Sequence, residues 1–163
     1  MCKYGLTHSI IYSFLIVENQ YFNHLAVSSK DAMGLMQIKL PTANDIVVMA
    51  FKKGIITDLY KYLLEKNLGA EKLYKLCNAS ALGFEYPITQ KDLFNPELNI
   101  IIGCLFLQIL SKESDSNISQ MGLRYLHGYF AFDTGKTITS EMLQNSDYVI
   151  KLQSIYNIIN KEV

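Results

Sequence analysis

Hydrophobic and polar positions along the chain follow the helical period, and strand signals are weak throughout. Residues from Tyr4 to Glu18 are dense in Ile, Leu and Phe and contain no proline, which predicts a buried first helix that ends at a carboxylate. This apolar run is too short to cross a bilayer. From Asn19 to Leu40 the period is lost and Asn, Ser, Asp and Gly appear, which predicts an irregular loop.

Start and stop signals predict a series of further helices. Pro41 suits the first turn of a helix, and Thr57 suits an N-cap, because its hydroxyl can accept a hydrogen bond from a free N–H group. The segment PELNIIIGCLFLQILSK, which opens at Pro96, is apolar nearly all round and therefore predicts a central helix. The other predicted helices cover residues 42–51, 57–66, 70–77, 119–132 and 146–161. The pattern predicts an all-α or nearly all-α fold.

Length and composition narrow the function classes. The 163 residues suit one domain with a real core, and 15 basic against 15 acidic side chains give no reason to expect a nucleic-acid partner or an anionic membrane surface. The cysteines Cys2, Cys77 and Cys104 are far apart, so no zinc or redox site is expected and their disulfide state stays open. We expect no metal and no cofactor.

The chemistry in the sequence is concentrated in residues 18–43, ENQYFNHLAVSSKDAMGLMQIKLPTA. Burial at the end of an apolar helix would raise the pKa of Glu18, and a proton donor to a glycosidic oxygen needs such a pKa. The loop that follows supplies Ser28, Met36 and Gln37 as contacts suited to a sugar ring. A glutamate at a helix end is far more often a solvated surface residue, and GLMQ can equally be a packed turn.

The same segment resembles the signature of the lytic transglycosylases of the soluble (SLT) type, which share the goose-type lysozyme fold. In that family a catalytic Glu is followed by an aromatic residue, then AVS, GAMGLMQ, Pro and TA. The matching residues here are Glu18, Tyr21 or Phe22, Ala26 to Ser28, Ala32 to Gln37, and Thr42 with Ala43. The resemblance implies a single lysozyme-like SLT domain over residues 1–163, all-α or α+β of the lysozyme kind.

Two later blocks fall in the family's order, and a third departs from it. LFNPELNIIIGCLFL (93–107) and DYVIKLQSIY (147–156) are similar to two family helices, which leaves 51–90 as a helical insertion. In the family block A-Y-N-x-G a tyrosine approaches the catalytic Glu. RYLHG (124–128) keeps Tyr125 but has Leu126 in place of Asn. Asn19 replaces the usual Ser, Asp31 replaces a usual Gly, and the loop after Glu18 is one residue longer.

The resemblance implies a reaction as well as a fold. No second carboxylate matches a family position, and Lys39 stands where goose-type lysozymes carry an acid. We therefore expect a peptidoglycan lytic transglycosylase that cleaves between N-acetylmuramic acid and N-acetylglucosamine to leave 1,6-anhydromuramyl ends. Its catalytic acid and base would be Glu18, and its substrate-binding residues would be Ser28, Met36, Gln37 and Tyr125. A muramidase on the same fold, a peptidoglycan-binding pseudoenzyme and a helical interaction domain remain alternatives.

The substrate implied by the resemblance also sets the location. Peptidoglycan strands lie outside the inner membrane, so we expect a periplasmic or cell-envelope protein, although no complete export signal is visible. We expect a monomer. Its small size suits local opening of the wall for a secretion system, a pilus, a flagellum or phage entry.

Overall fold

The computed structural model describes residues 6–78, 87–128 and 137–161. Within these ranges the chain is mostly helical and carries one small antiparallel sheet, which confirms the prediction of an all-α or nearly all-α fold. The strands are β1 (Ala32–Met33) and β2 (Ile38–Lys39). The helices are α1 (His8–Glu18), α2 (Leu40–Lys52), α3 (Asp58–Leu68), α4 (Ala70–Cys77), α5 (Gln90–Leu93), α6 (Pro96–Glu113), α7 (Ile118–His127), α8 (Ser140–Gln144) and α9 (Asp147–Lys161).

Capping side chains set several helix starts. The Thr57 hydroxyl accepts a hydrogen bond of 3.3 Å from the Tyr60 N–H, as predicted for a cap at this position. The Thr7 hydroxyl does the same for the Ile10 N–H, so α1 begins at His8. The predicted start of this helix, Tyr4, lies outside the described residues. The first helix is therefore shorter than predicted, but it ends at the predicted carboxylate.

Four short elements, two helices and two strands, were not predicted from the sequence patterns. Helices α5 and α8 have four and five residues, too few to show a helical period. The strands have two residues each and pair Ala32 with Lys39 and Met33 with Ile38.

Helix α7 ends at His127, before the predicted limit of 132, because Gly128 takes a φ of +87°. Residues 129–132 of that prediction lie outside the described ranges.

The chain divides into two compact units. We call Met1–Gln20 with Leu107–Val163 the terminal unit, and Tyr21–Phe106 the middle unit. In the terminal unit α9 packs against α1 and α7, and a Cβ placed on Gly122 would lie 2.6 Å from Leu152 Cδ2. The absence of a side chain at Gly122 therefore lets α7 and α9 approach closely.

The middle unit contains the sheet and helices α2 to α5, with the first part of α6. Helix α4 packs against α2 and α3, and the described part of residues 51–90 is mostly helical, as predicted. Buried Asn44 joins separate segments of this unit. Its Oδ1 accepts a hydrogen bond from the Ile88 N–H, and its Nδ2 donates to the Leu40 carbonyl. Across the described ranges no helix combines the length and the apolar character needed to span a bilayer.

Candidate active site

Glu18 is the last residue of α1, in the terminal unit. The helix stops there because Asn19 leaves the helical conformation, while its N–H still donates to the Leu15 carbonyl at 3.0 Å. Partial burial of the carboxyl disfavours its charged form and raises its pKa from 4.5 to about 7, against opposing effects of a hydrogen bond from Tyr148 and the positive charge of Lys151. The predicted rise in pKa therefore has the predicted cause.

Tyr148 lies one residue inside α9, and its hydroxyl donates a hydrogen bond of 2.5 Å to Glu18 Oε1. Burial raises the pKa of Tyr148 well above its usual value, and the nearby charges of Glu18 and of Tyr125 raise it further. The hydroxyl thus keeps its proton and stays a donor near neutral pH. Because Oε1 accepts this hydrogen bond, we assign the proton of the neutral carboxyl to Oε2.

Sequence reasoning assigned the tyrosine next to Glu18 to Tyr125 and did not single out Tyr148. Tyr125 is buried in the terminal unit, with its ring centroid 5.0 Å from that of Phe14 in a tilted arrangement. A contact between Tyr125 and the substrate stays a prediction. Tyr148 stood in the DYVIKLQSIY block, but no local pattern marks which residue of a helix meets a carboxylate 130 positions away.

The proposed groove residues lie in the loop of the middle unit. The Ser28 hydroxyl accepts hydrogen bonds from the Ala32 N–H at 3.1 Å and the Lys30 N–H at 3.3 Å, so it closes a turn of the loop. Gln37 Nε2 donates to the Gly34 carbonyl at 2.8 Å and to the Ala26 carbonyl at 3.4 Å. Both side chains are only partly buried. They hold the loop in shape and keep some accessible surface.

Unlike Ser28 and Gln37, Met36 does not lie at the surface. Its side chain is fully buried, and a Cβ on Gly103 would lie 2.7 Å from Met36 Cγ. The side chain therefore packs in the interior of the middle unit and supports the loop from inside. Its contact with substrate stays a prediction. The burial follows from helix α6, where glycine leaves room for the methionine.

Asn99 fixes this loop from inside. It is fully buried, its Oδ1 accepts a hydrogen bond of 2.7 Å from the Met36 N–H, and its Nδ2 donates at 3.0 Å to the carbonyls of Met33 and Leu93. A Cβ on Gly34, whose φ is +76°, would lie 2.4 Å from Asn99 Nδ2. Only glycine fits at that position. The motif match at Asn99 thus marks a structural anchor.

In the described part of the chain, no carboxylate is among the groups that shift the pKa of Glu18. Apart from burial, those groups in the described part of the chain are Tyr148 and Lys151. Asp31 is exposed in the middle unit, and partial burial raises the pKa of Asp45 on α2. Over the same residues, no group of three or more His, Cys, Asp or Glu side chains is arranged to hold a metal ion. The arrangement at Glu18 can store and return one proton.

Comparisons with known proteins identify one family model and two named relatives that resemble the chain. The family model described as the Transglycosylase SLT domain matches residues 1–79. The chain is 38% identical over 73 residues to a protein named membrane-bound lytic murein transglycosylase C from Photorhabdus laumondii, an alignment of 44% of this chain and 20% of the relative. It is 31% identical over 116 residues to the protein of the same name from Pectobacterium atrosepticum, covering 69% of this chain and 32% of the relative.

The chain thus spans a third or less of the length of these two relatives. No solved structure matches it significantly. The family match ends two residues after α4, while the second relative aligns over a longer part of the chain. The recognition of this chain as a relative of the SLT-type lytic transglycosylases, made from its motifs, is therefore confirmed.

Proposed function

We propose that the protein is a peptidoglycan lytic transglycosylase in which Glu18 is the only catalytic acid and base. The observation that carries the proposal is the Glu18 carboxyl, whose pKa of about 7 lets it hold a proton or release one near neutral pH. General acid and base catalysis is most effective when the pKa lies close to the working pH. The SLT match and the names of the two relatives support the same reaction class.

The proposed reaction needs one proton carrier and no water. Glu18 Oε2 donates its proton to the oxygen that joins N-acetylmuramic acid to N-acetylglucosamine, and the bond from that oxygen to C1 of the muramyl sugar breaks. The carboxylate then accepts the proton of the muramyl 6-hydroxyl as O6 bonds to C1. The products are a 1,6-anhydro end and a free 4-hydroxyl, and Glu18 regains its starting state.

Tyr148 is assigned as the positioning residue of this cycle. Its hydroxyl donates to Oε1, which orients the carboxyl and favours the anionic form that must exist between the two proton transfers. Hydrolases that retain or invert configuration need a second carboxylate to act as nucleophile or to activate water. Among the described residues no carboxylate is one of the groups that shift the pKa of Glu18, and this supports the intramolecular route over a muramidase.

Purified sacculi digested with the protein test the function and the role of Glu18 together. We expect muropeptides lighter by one water than the reducing forms, and none of them with Glu18→Gln. Reducing ends would indicate a muramidase. Equal release by Glu18→Gln, or sacculus binding with no release by the wild type, would indicate a pseudoenzyme and contradict the proposal.

The proposed substrate also suggests where the protein acts and with which partners. We propose a cell-envelope or periplasmic location, a monomer with residues 1–163 acting as one catalytic domain, and service to a secretion, pilus or flagellar machine. The two relatives are named as membrane-bound proteins, which supports an envelope location. Fractionation of the native host, with copurification of envelope machinery, tests this. Recovery in the cytoplasm would contradict the location, and recovery without any machine would contradict the partner.

A further inference from the structure

The side chain of Tyr148 lies against helix α7 as well as bonding to the end of α1. A Cβ placed on Gly122 of α7 would lie 3.6 Å from Tyr148 Cε1, an ordinary van der Waals distance. The ring edge therefore packs at the point where α7 has no side chain, while the hydroxyl donates to Glu18 Oε1. All three residues belong to the terminal unit. The position of the ring thus depends on how closely α9 approaches α7.

The approach of α9 to α7 depends on the missing side chain at Gly122. A Cβ at this position would lie 2.6 Å from Leu152 Cδ2, whereas carbon atoms pack at about 3.5–4.0 Å. The tip of a leucine can turn aside where there is space, but Leu152 is fully buried in α9. Overlap in a filled core is relieved by shifts of the backbone. A side chain at position 122 should therefore push α9 away from α7.

Helix α1 is held to α7 by a separate contact, so it would not follow such a movement of α9. Phe14 of α1 and Tyr125 of α7 are both buried, and their ring centroids lie 5.0 Å apart. Tyr125 follows Gly122 by three residues and so lies on the same side of α7. It also lies close enough to Tyr148 to raise the pKa of that hydroxyl. A displacement of α9 from α7 would thus also move Tyr148 away from Glu18.

The hydrogen bond from Tyr148 tolerates little movement. Oxygen atoms joined by an O–H···O bond lie about 2.5–3.0 Å apart, so a displacement of about 1 Å is enough to weaken or break it. We propose that Gly122 is a positioning residue of the site: because it has no side chain, α9 can approach α7 and hold the Tyr148 hydroxyl against the Glu18 carboxyl. The role of this contact in the reaction rests on the function proposed above.

Titration of the Glu18 carboxyl carbon by NMR, with its signal assigned from Glu18→Gln, tests the proposal without substrate. Gly122→Ala should raise the pKa of Glu18 above about 7, in the direction of Tyr148→Phe and no further, because the bond that lowers this pKa is weakened. Gly122→Ala with Leu152→Ala, which makes room for the new methyl group, should restore the wild-type value. Gly128→Ala is the matched control: its φ of +87° costs stability, but its Cβ meets nothing within 4 Å, so the pKa of Glu18 should not change.

The outcomes separate this positioning role from plain packing and from the function. An unchanged or lowered Glu18 pKa in Gly122→Ala would overturn the proposal and leave Gly122 a packing residue. So would an undiminished rise when Gly122→Ala is added to Tyr148→Phe, because the effect would then not pass through the hydroxyl. Thermal melts check folding, and sucrose in every sample favours the folded state of a weakened variant. The proposed function fails by a different result, the absence of anhydro products from wild-type protein on sacculi.

Discussion

The Tyr148 hydroxyl donates a hydrogen bond of 2.5 Å to Glu18 Oε1, across 130 positions of the chain. The bond joins the C-terminus of α1 to the N-terminal turn of α9, two helices that pack together within the terminal unit. Burial raises the pKa of Glu18, and this bond partly lowers it again. With the positive charge of Lys151, which also lowers it, these effects place the pKa of Glu18 near neutrality, where the carboxyl can serve as acid and base.

Removal of the Tyr148 hydroxyl should shift the pH dependence of cleavage. Tyr148→Phe deletes a hydrogen bond that lowers the Glu18 pKa, so the pKa should rise above about 7. The acid form then persists to higher pH, and the falling limb of kcat/KM against pH should move in the alkaline direction, with a lower maximum. Profiles of both proteins on sacculi measure this. Tyr156→Phe on the same helix is the control, and an unshifted limb in Tyr148→Phe would contradict the role.

Replacement of Glu18 should change stability in a pH-dependent way. Gln cannot ionise, so Glu18→Gln avoids the cost of a charge in a partly buried place. Well below pH 4.5 wild-type Glu18 is protonated in both the folded and the unfolded chain, and the stability difference between the two proteins should not change with pH. Between pH 4.5 and about 7 only the unfolded chain ionises, so the advantage of Glu18→Gln should grow and then level off.

Thermal melts of wild type and Glu18→Gln across that pH range measure the effect. Glu65→Gln on α3 is the matched control, because Glu65 is exposed. An advantage of Glu18→Gln that is constant with pH, or that appears only in acid, would show that the raised pKa of Glu18 is wrong. The control should show no comparable growth with pH.

Replacement of each of two glycines by alanine should separate the energetic cost of backbone strain from that of steric overlap. Both Gly34 and Gly54 have positive φ, +76° and +63°, which costs about 1–2 kcal/mol with any ordinary side chain. A Cβ on Gly54 meets nothing within 4 Å, whereas one on Gly34 would lie 2.4 Å from Asn99 Nδ2. Gly34→Ala should therefore cost roughly 1–3 kcal/mol more than Gly54→Ala. Urea denaturation measures both, and equal losses would contradict the packing at Asn99.

Replacement of Asp31 by the glycine of the family pattern should stabilise the protein. Asp31 has a φ of +60° and an exposed side chain in the loop, at the position where the family pattern carries glycine. Asp31→Gly should raise the free energy of unfolding by roughly 0.5 kcal/mol, because glycine adopts this region without strain. Ser29→Gly is the control in the same loop, since Ser29 does not have positive φ, and it should be destabilising. Destabilisation by Asp31→Gly would contradict the reason given for the glycine.

The sequence predicted the elements that local chemistry determines. Thr57 begins α3 because a cap acts on its own neighbours, and the apolar run after Pro96 forms α6. The two-residue strands could not be predicted, since their pairing depends on contacts that Asn99 makes from 63 to 66 positions away. Met36 appeared as a groove residue, yet its fully buried position depends on Gly103 of a distant helix.

The site itself was predicted in part for the same reason. Position at the end of an apolar helix was enough to predict a raised pKa for Glu18, because burial is a property of the helix pattern. The tyrosine that bonds it depends on how α9 is rotated against α1, and the periodic pattern of α9 does not determine that rotation. The bond between Tyr148 and Glu18 therefore could not be predicted from the sequence.

Digestion of sacculi in heavy-oxygen water tests most directly the claim that Glu18 transfers a proton without any water in the reaction. The wild-type protein should release anhydromuropeptides that carry no oxygen label, and Glu18→Gln should release none. Labelled reducing ends would show that water is the nucleophile and that the protein is a hydrolase. Release of either product by Glu18→Gln at the wild-type rate would contradict the assignment of Glu18 itself.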